Sequence, residues 1–136
     1  MIVVDTNVLT YLWIPGPLTD RCAALLQRDP AWMAPPLWRS ELRNVLANHL
    51  RAGLTTLEGA MRAMEGAEAQ MASTTVDVES EAVLRLAADS GCSAHDCEFV
   101  ALAHGVGIPL VTADRKLRKS FPGVARTLDE MLGEDA

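Results

Sequence analysis

Four acidic residues occupy positions where a soluble domain has little structural reason to keep a charge; they are Asp5, Glu41, Asp96 and Asp114. Asp5 ends the apolar run at the N-terminus and Asp114 ends a later one, so each is predicted to follow a buried strand. Neighbouring parallel strands present side chains at their carboxyl ends, which would bring both aspartates to one edge of a sheet. Carboxylate oxygens suit Mg²⁺ and Mn²⁺. The sequence therefore predicts a metal-binding carboxylate cluster.

Each acid also has a purely structural role open to it. Asp5 and Asp114 are placed to cap the helices that follow their strands. Asp96 lies three residues after Ser93, which is the spacing of a capping box. Glu41 would belong to the solvated rim of its helix. For each acid taken alone, the structural role remains an alternative. Together, however, these roles do not predict that all four acids are able to face one sheet edge.

Asp96 has a further feature that favours a cation nearby. Phe99, Val100 and Ala103 follow it at helical spacing, so the acid shares the apolar face of its own helix. Burying an unpaired carboxylate is costly. We therefore expect a positive charge beside Asp96.

Short apolar runs alternate along the chain with segments of helical periodicity, which predicts a mainly parallel sheet covered on both faces. The expected fold is a three-layer α/β/α sandwich. The predicted strands are residues 1–4, 32–34, 74–78, 108–113 and an edge strand at 124–126. The predicted helices start near Val8 and then span 18–28, 37–51, 55–71, 79–90, 93–104, 115–120 and 128–132, with Gly105 and Gly107 ending the sixth and a frayed tail at 133–136.

Length and composition predict one domain, residues 1–136, because 136 residues with 49% hydrophobic content suffice for one core and are too few for two. No apolar run approaches the roughly 20 residues needed to cross a bilayer, and no basic region precedes the N-terminal apolar stretch. We therefore expect a cytoplasmic protein. The cysteines, Cys22, Cys92 and Cys97, are odd in number and lack a C-x-x-C pair, which favours buried thiols over disulfides.

The formal net charge of −6 argues against broad electrostatic attraction to nucleic acid. Any contact with nucleic acid must therefore be local. Two basic groups lie near the predicted acidic edge: the stretch 115–119 directly after Asp114, and arginines on the helix that carries Glu41.

The order and spacing of four segments resemble the PIN-domain nuclease family, and in particular its short VapC-type toxins. No one segment is specific, but together they span essentially the whole chain. The matching segments are Val4-Asp-Thr-Asn-Val-Leu9, Ser40-Glu-Leu-Arg-Asn-Val-Leu46, His95-Asp-Cys97 with Phe99-Val-Ala-Leu-Ala103, and Leu110-Val-Thr-Ala-Asp-Arg-Lys-Leu117.

This resemblance implies a Mg²⁺-dependent endoribonuclease, with Mn²⁺ as a substitute, that hydrolyses RNA to leave a 5′-phosphate. Asp5 and Asp96 would be the primary metal ligands, and Glu41 and Asp114 would complete the catalytic site directly or through water. The supporting and RNA-contacting residues are then Asn7 or Thr112, hydrogen-bonded to the acids, and Arg39, Arg43, Arg115 and Lys116, on the RNA backbone. Thr6 is expected to be structural.

The resemblance also implies two protein partners. One is a cognate antitoxin, whose peptide would lie over the acidic site in the groove between the first helices and the Glu41 helix. The other is a second copy of the chain, with apolar residues of 32–38 and 54–64 at the dimer interface. The chain departs from the family at His95, where an aromatic is frequent, and at Cys97, where alanine is common, so its substrate contacts are expected to differ.

One other kind of metal site and two other classes of function are alternatives to a nuclease. Cys92, His95 and Cys97 have the residue types of a soft-metal site, but a fourth ligand is missing. A phosphatase or signal receiver with an acidic strand-end pocket would need further acids that this chain lacks, since Asn7 stands where such a phosphatase has an aspartate. A binding module that keeps the fold without catalysis is the remaining alternative.

Overall fold

The computed structural model describes residues 1–133, so residues 134–136 of the predicted tail lie outside the described residues. Within that range the chain forms four short strands and eight helices. The strands are β1 (Ile2–Val4), β2 (Trp32–Met33), β3 (Leu110–Val111) and β4 (Ala125–Arg126). The helices are α1 (Thr6–Trp13), α2 (Thr19–Arg28), α3 (Leu37–Arg51), α4 (Leu57–Met71), α5 (Ser80–Ser90), α6 (Ala94–Val106), α7 (Arg115–Ser120) and α8 (Leu128–Leu132).

The four strands form one parallel sheet in the order β2-β1-β3-β4. The register aligns Ile2 with Trp32, Val3 with Leu110, and Leu110 with Ala125. Residues of β1 and β3 are fully buried, as expected for parallel strands that carry helices on both faces. The predicted three-layer α/β/α sandwich is confirmed.

Helix ends follow the predicted signals at most positions. The observed bounds of α3 match the prediction, and Thr56 caps α4 by accepting a hydrogen bond from the backbone N–H of Gly59. Gly91, in the left-handed region at φ 72°, ends α5. The predicted stop at Gly105 is wrong, because α6 continues through it to Val106 and ends at Gly107, whose φ is 79°.

The predicted strand at 74–78 is also wrong. Only Thr75 forms a β-bridge, with Ala34, and the residues after it make no ladder. Val76 and Val78 pack against the core while Asp77 is exposed, so the alternation reflects packing rather than pairing.

The core gathers apolar side chains from the sheet and from α1 to α7 around two buried tryptophans. Trp32 and Trp38 are at most 1% exposed, so the expectation that residues 32–38 supply a dimer interface is wrong for both. Leu54, Leu57 and Met61 are instead among the exposed large apolar residues. In residues 1–133 no helix combines the length and the apolar character needed to span a membrane.

Candidate active site

The candidate site lies where the chain changes direction across the sheet. After the central strand β1 the chain goes to β2 on one side of the sheet. After the other central strand, β3, it goes to β4 on the opposite side. The loops at the carboxyl ends of β1 and β3 therefore lead away from each other, which opens a crevice between them. Asp5 follows β1 at this crevice, and its backbone N–H donates to the carbonyl of Val111, at 3.0 Å.

Asp5 is held by hydrogen bonds on both carboxylate oxygens. Oδ1 accepts from the backbone N–H of Thr6 at 2.8 Å, and Oδ2 accepts from the hydroxyl of Thr112 at 2.7 Å. The side-chain amide of Asn7 donates to Oδ2 at 3.4 Å. Thr112 also accepts from the backbone N–H of Asp114 at 3.0 Å, so one hydroxyl joins the ends of the two central strands. The structure thus places both predicted supporting residues against Asp5.

Glu41 reaches the site from the second turn of α3. Its Oε1 accepts a hydrogen bond from the hydroxyl of Thr6 at 2.6 Å. The prediction that Thr6 is structural therefore missed a contact, because Thr6 binds one site acid through its backbone and another through its side chain. The only signal in the sequence was its position next to Asp5.

Asp96 lies in the first turn of α6, where its backbone N–H donates to Ser93 at 3.1 Å. Only half of the capping box is present, since the Asp96 carboxylate accepts no hydrogen bond from residues 1–133. The side chain is half-buried beside the acidic crevice. Its oxygens are therefore available to a ligand.

Burial and repulsion from neighbouring carboxylates raise the pKa values of two site acids, Asp5 and Glu41. Burial, with smaller contributions from the carboxylates of Glu41 and Asp96, raises the pKa of Asp5 from 3.8 to about 6, against the hydrogen bonds from Thr112 and Thr6 that lower it. Burial also raises the pKa of Glu41; the Thr6 hydroxyl opposes this rise and Asp96 adds to it. Asp5, Glu41 and Asp96 thus form one electrostatic group.

Asp114 stands apart from this group. Its Oδ1 accepts from the backbone N–H groups of Lys116 and Leu117, at 2.8 and 3.1 Å, so the residue caps α7, which is the structural role predicted for it. Its side chain still lines the same cleft. The structure therefore brings all four predicted acids to one cleft but leaves Asp114 at its edge, occupied in part by the cap.

The cleft is an open cavity of about 710 Å³ between α1, α3, α6 and the start of α7. Besides the acids it presents uncharged hydrogen-bonding groups and one imidazole. The non-acidic lining residues are Thr6, Asn7, Thr10, Tyr11, Leu37, Ser40, Asn44, Val45 and His95. This composition combines metal-type ligands with side chains that hydrogen-bond or pack against an organic substrate.

The donor atoms of the acids are of the type that a hard divalent cation prefers, but their side chains are not grouped closely around one point. All donors are oxygens, which suits Mg²⁺ or Mn²⁺, and a cation would offset the repulsion that contributes to the raised pKa values of Asp5 and Glu41. Within residues 1–133, however, no three or more His, Cys, Asp or Glu side chains are grouped closely enough to hold a metal ion as they stand. Such an ion would therefore keep much of its water and contact part of the set through it.

The soft-metal alternative is not supported. Cys92 and Cys97 are buried free thiols, whereas His95 is exposed and lines the acidic cleft. Cys22 is likewise buried and free, as predicted for idle thiols.

The predicted RNA-contacting residues lie around the cleft rather than in it. Arg39 stacks over Trp38 at 5.3 Å, and Arg43 lies 3.9 Å from Glu68. The ammonium group of Lys116 donates to the carbonyl of Gly91 at 3.2 Å. Among the lining residues that the structure describes, only His95 can carry a positive charge.

Fold and site together define a member of the PIN domain family, whose model matches residues 2–120; the chain belongs to this family. It is 26% identical to Ribonuclease VapC3 from Pyrobaculum aerophilum over 126 residues, which are 90% of this chain and 96% of that protein. The resemblance drawn from four short segments is thereby confirmed.

Two solved structures share the fold. The crystal structure of PAE2754 from Pyrobaculum aerophilum superposes with a TM-score of 0.78 at 22% identity, covering 97% of this chain and 93% of that one. The crystal structure of FitAcB from Neisseria gonorrhoeae gives a TM-score of 0.71 at 19% identity, covering 94% and 98%.

Proposed function

We propose that this protein is a Mg²⁺-dependent endoribonuclease that hydrolyses RNA phosphodiester bonds at the acidic cleft. The observation that carries the proposal is the electrostatic group of Asp5, Glu41 and Asp96, in which the Asp96 carboxylate helps raise the pKa values of both Asp5 and Glu41 in one open cleft. Charge crowding of this kind is costly in an empty protein and useful in one that binds a cation. Membership of the PIN family and similarity to a named ribonuclease support the choice of reaction and of RNA.

In this proposal the four acids bind the metal ion and the neighbouring polar residues orient them. Asp5 and Asp96 are the primary ligands and Glu41 and Asp114 complete the site, with Mn²⁺ able to replace Mg²⁺. Thr112 and Asn7 orient the Asp5 carboxylate, and Thr6 orients Glu41. A bound divalent ion would neutralise the phosphodiester and lower the pKa of a water molecule for attack.

The experiment that tests this function compares RNA cleavage by the wild type, Asp5→Asn and Asp77→Asn in Mg²⁺, Mn²⁺ and EDTA. Asp77 is an exposed loop aspartate and so provides a control of equal charge change. We expect Asp5→Asn to lower the rate by at least about 100-fold, since even residues that only orient a metal ligand are worth 10 to 100-fold. EDTA should abolish cleavage, and Asp77→Asn should cleave as the wild type does.

The loose grouping of the carboxylates favours one second candidate, a silent module that binds RNA or protein without cutting. Melting temperatures with and without Mg²⁺ separate the two. A nuclease should be stabilised by Mg²⁺ in the wild type and in Asp77→Asn, and much less in Asp5→Asn, because a ligand of the native state raises stability. RNA binding with neither cleavage nor stabilisation by Mg²⁺ would establish the silent module instead.

The cellular role we propose is that of a toxin neutralised by an antitoxin, as the VapC-type resemblance implies. The acidic cleft is electrostatically complementary to a peptide carrying a basic side chain. Expression of the wild type should arrest growth, expression of Asp5→Asn should not, and co-expression of the product of the adjacent gene should restore growth. Equal arrest by both forms would rule out the cleft as its cause.

A further inference from the structure

Most lysine and arginine side chains of this acidic protein have a contact partner, and those without one in the described part of the chain are found on a single helix. Of the twelve lysines and arginines, nine contact a carboxylate, a carbonyl, an amide oxygen or an aromatic ring. The other three, Arg115, Arg118 and Lys119, make no such contact within residues 1–133. All three lie on α7, the helix that begins directly after Asp114.

Arg118 is the clearest of these cases. Its Nε atom is buried and has no hydrogen-bond partner. A buried donor without an acceptor is unfavourable, and more so when the group is charged. Because this Nε is closed to solvent, an anion would bind at the rest of the guanidinium group, and its opposite charge would stabilise that group.

Arg115 and Arg118 line a second cavity of about 310 Å³, here called the α7 pocket, between α1, α7 and the start of α8. Their spacing of three residues places them on one face of the helix. The pocket also contains one acid, Asp129, but that carboxylate is already bonded to Arg21. The two arginines are therefore its uncompensated charges.

The α7 pocket adjoins the acidic cleft. Tyr11 lines both cavities, and Thr112, which lines the α7 pocket, donates to Asp5 in the cleft. Asp114 lines the cleft and the next residue, Arg115, lines the pocket. The two arginines are therefore within reach of a flexible strand that has one phosphate at the acids.

We propose that the α7 pocket is a phosphate subsite, in which Arg115 and Arg118 bind the RNA backbone beside the bond presented to the acidic cleft. The subsite rests on the proposed ribonuclease function. It assigns backbone binding to the two unpaired guanidinium groups and not to Lys116, Arg39 or Arg43, which have partners of their own. Guanidinium groups match phosphate with two parallel hydrogen bonds, so this subsite holds RNA without reading its sequence.

The test measures binding of a short fluorescein-labelled single-stranded RNA in EDTA, where cleavage does not interfere, across a range of KCl concentrations. The double variant Arg115→Gln with Arg118→Gln is compared with Arg62→Gln with Arg85→Gln, two exposed arginines on α4 and α5. We expect about 10-fold weaker binding for the α7 variant only. The slope of log Kd against log salt should fall by about 0.7, the value for one phosphate on a single strand.

Further arms separate a phosphate subsite from a loss of folding and from a general anion site. Arg118→Lys keeps the charge and should retain the salt slope of the wild type, which a loss of folding would not. Equal weakening by both double variants, no weakening by either, or no binding of RNA by the wild type would overturn the subsite. So would equal displacement of the RNA by poly-glutamate, because the pocket would then be a general anion site.

Failure of the subsite and failure of the ribonuclease function give different results. If the wild type binds RNA through α7 but no form cleaves it, hydrolysis fails and the subsite stands. If the α7 variant cleaves with an unchanged KM, the subsite fails and hydrolysis stands.

Discussion

At the scale of single residues, Asp5 carries the strongest conflict between stability and function. The residue is 8% exposed, and its carboxylate is charged only against the cost of burial and the repulsion of two neighbouring acids. Two strong hydrogen bonds reduce that cost without removing it. A buried carboxylate with a raised pKa destabilises the fold and is typical of functional sites. Asp5 therefore identifies the acidic cleft as the candidate site.

The raised pKa of Asp5 predicts a specific pH dependence of stability. The pKa rises from 3.8 to about 6 on folding, so the native state binds the proton more tightly than the unfolded state. The free energy of unfolding should therefore fall as the pH rises from about 4 to about 6, by up to about 3 kcal/mol at 1.36 kcal/mol per pKa unit. Below that range the contribution is fully present.

Asp5→Asn isolates this effect because asparagine does not titrate. In EDTA, denaturant unfolding of the two proteins should show that the variant gains stability relative to the wild type between pH 4 and pH 7. A difference that stays constant over this range would mean that Asp5 is ionised in the native state throughout. The Asp77→Asn control should follow the wild type at every pH.

At the scale of elements, the packing of α4 on α1 supports the start of the site. Gly66 of α4 lies beneath Trp13 of α1, and a Cβ there would come within 2.2 Å of the indole ring. The indole N–H of Trp13 also donates to Gln70 at 2.7 Å. Because α1 begins with Thr6 and Asn7, its position against α4 helps set two of the hydrogen bonds at the acids.

Two glycine-to-alanine substitutions should therefore have opposite effects. Gly66→Ala should destabilise the protein by about 1 to 3 kcal/mol, because the tryptophan or the helix must move. Gly105→Ala should stabilise it by about 0.5 to 1 kcal/mol, since Gly105 lies inside α6 with open space around its Cα. Thermal or denaturant unfolding measures both, and destabilisation by Gly105→Ala would contradict the helical continuation through that residue.

At the scale of the whole molecule, three surface regions differ in character: the acidic cleft, the basic α7 pocket and an apolar groove. The acidic cleft and the α7 pocket meet near Tyr11. Elsewhere, α3 and α4 form an apolar groove that includes Leu50, Leu57 and Met61. Exposed apolar surface of this kind is frequent at protein interfaces.

We expect this groove to serve the homodimer that the family resemblance implies. Replacing both Leu57 and Met61 by glutamate should convert a dimer to a monomer, as measured by light scattering after size-exclusion chromatography. Leu84→Glu is the matched control, because Leu84 is 63% exposed on α5 and away from the groove. A wild type that is monomeric, or a dimer that survives both glutamates, would contradict this interface.

Much of the fold and of the acid set was predictable because it depends on local signals. Apolar runs ended by Asp5 and Asp114 predicted the two central strands, although β3 covers only Leu110–Val111 of the predicted 108–113. Periodicity and capping residues predicted the exact bounds of α3. The false strand at 74–78 shows the limit of such signals. Alternation reports which side chains are buried, but a ladder needs a partner with free hydrogen-bonding groups, and Ala34 offers only one bridge.

What the sequence alone determined is therefore the set of chemical groups: four carboxylates, their supporting hydroxyl and amide, and the order of the strands and helices that carry them. Only the tertiary structure decided which groups act on one another. It joined Asp5, Glu41 and Asp96 electrostatically, gave Thr6 a role at Glu41, and left Asp114 partly committed to its helix. It also decided which lysine and arginine side chains have no contact partner within residues 1–133. These outcomes depend on distances between residues far apart in the chain, and such distances are set by packing rather than by local sequence.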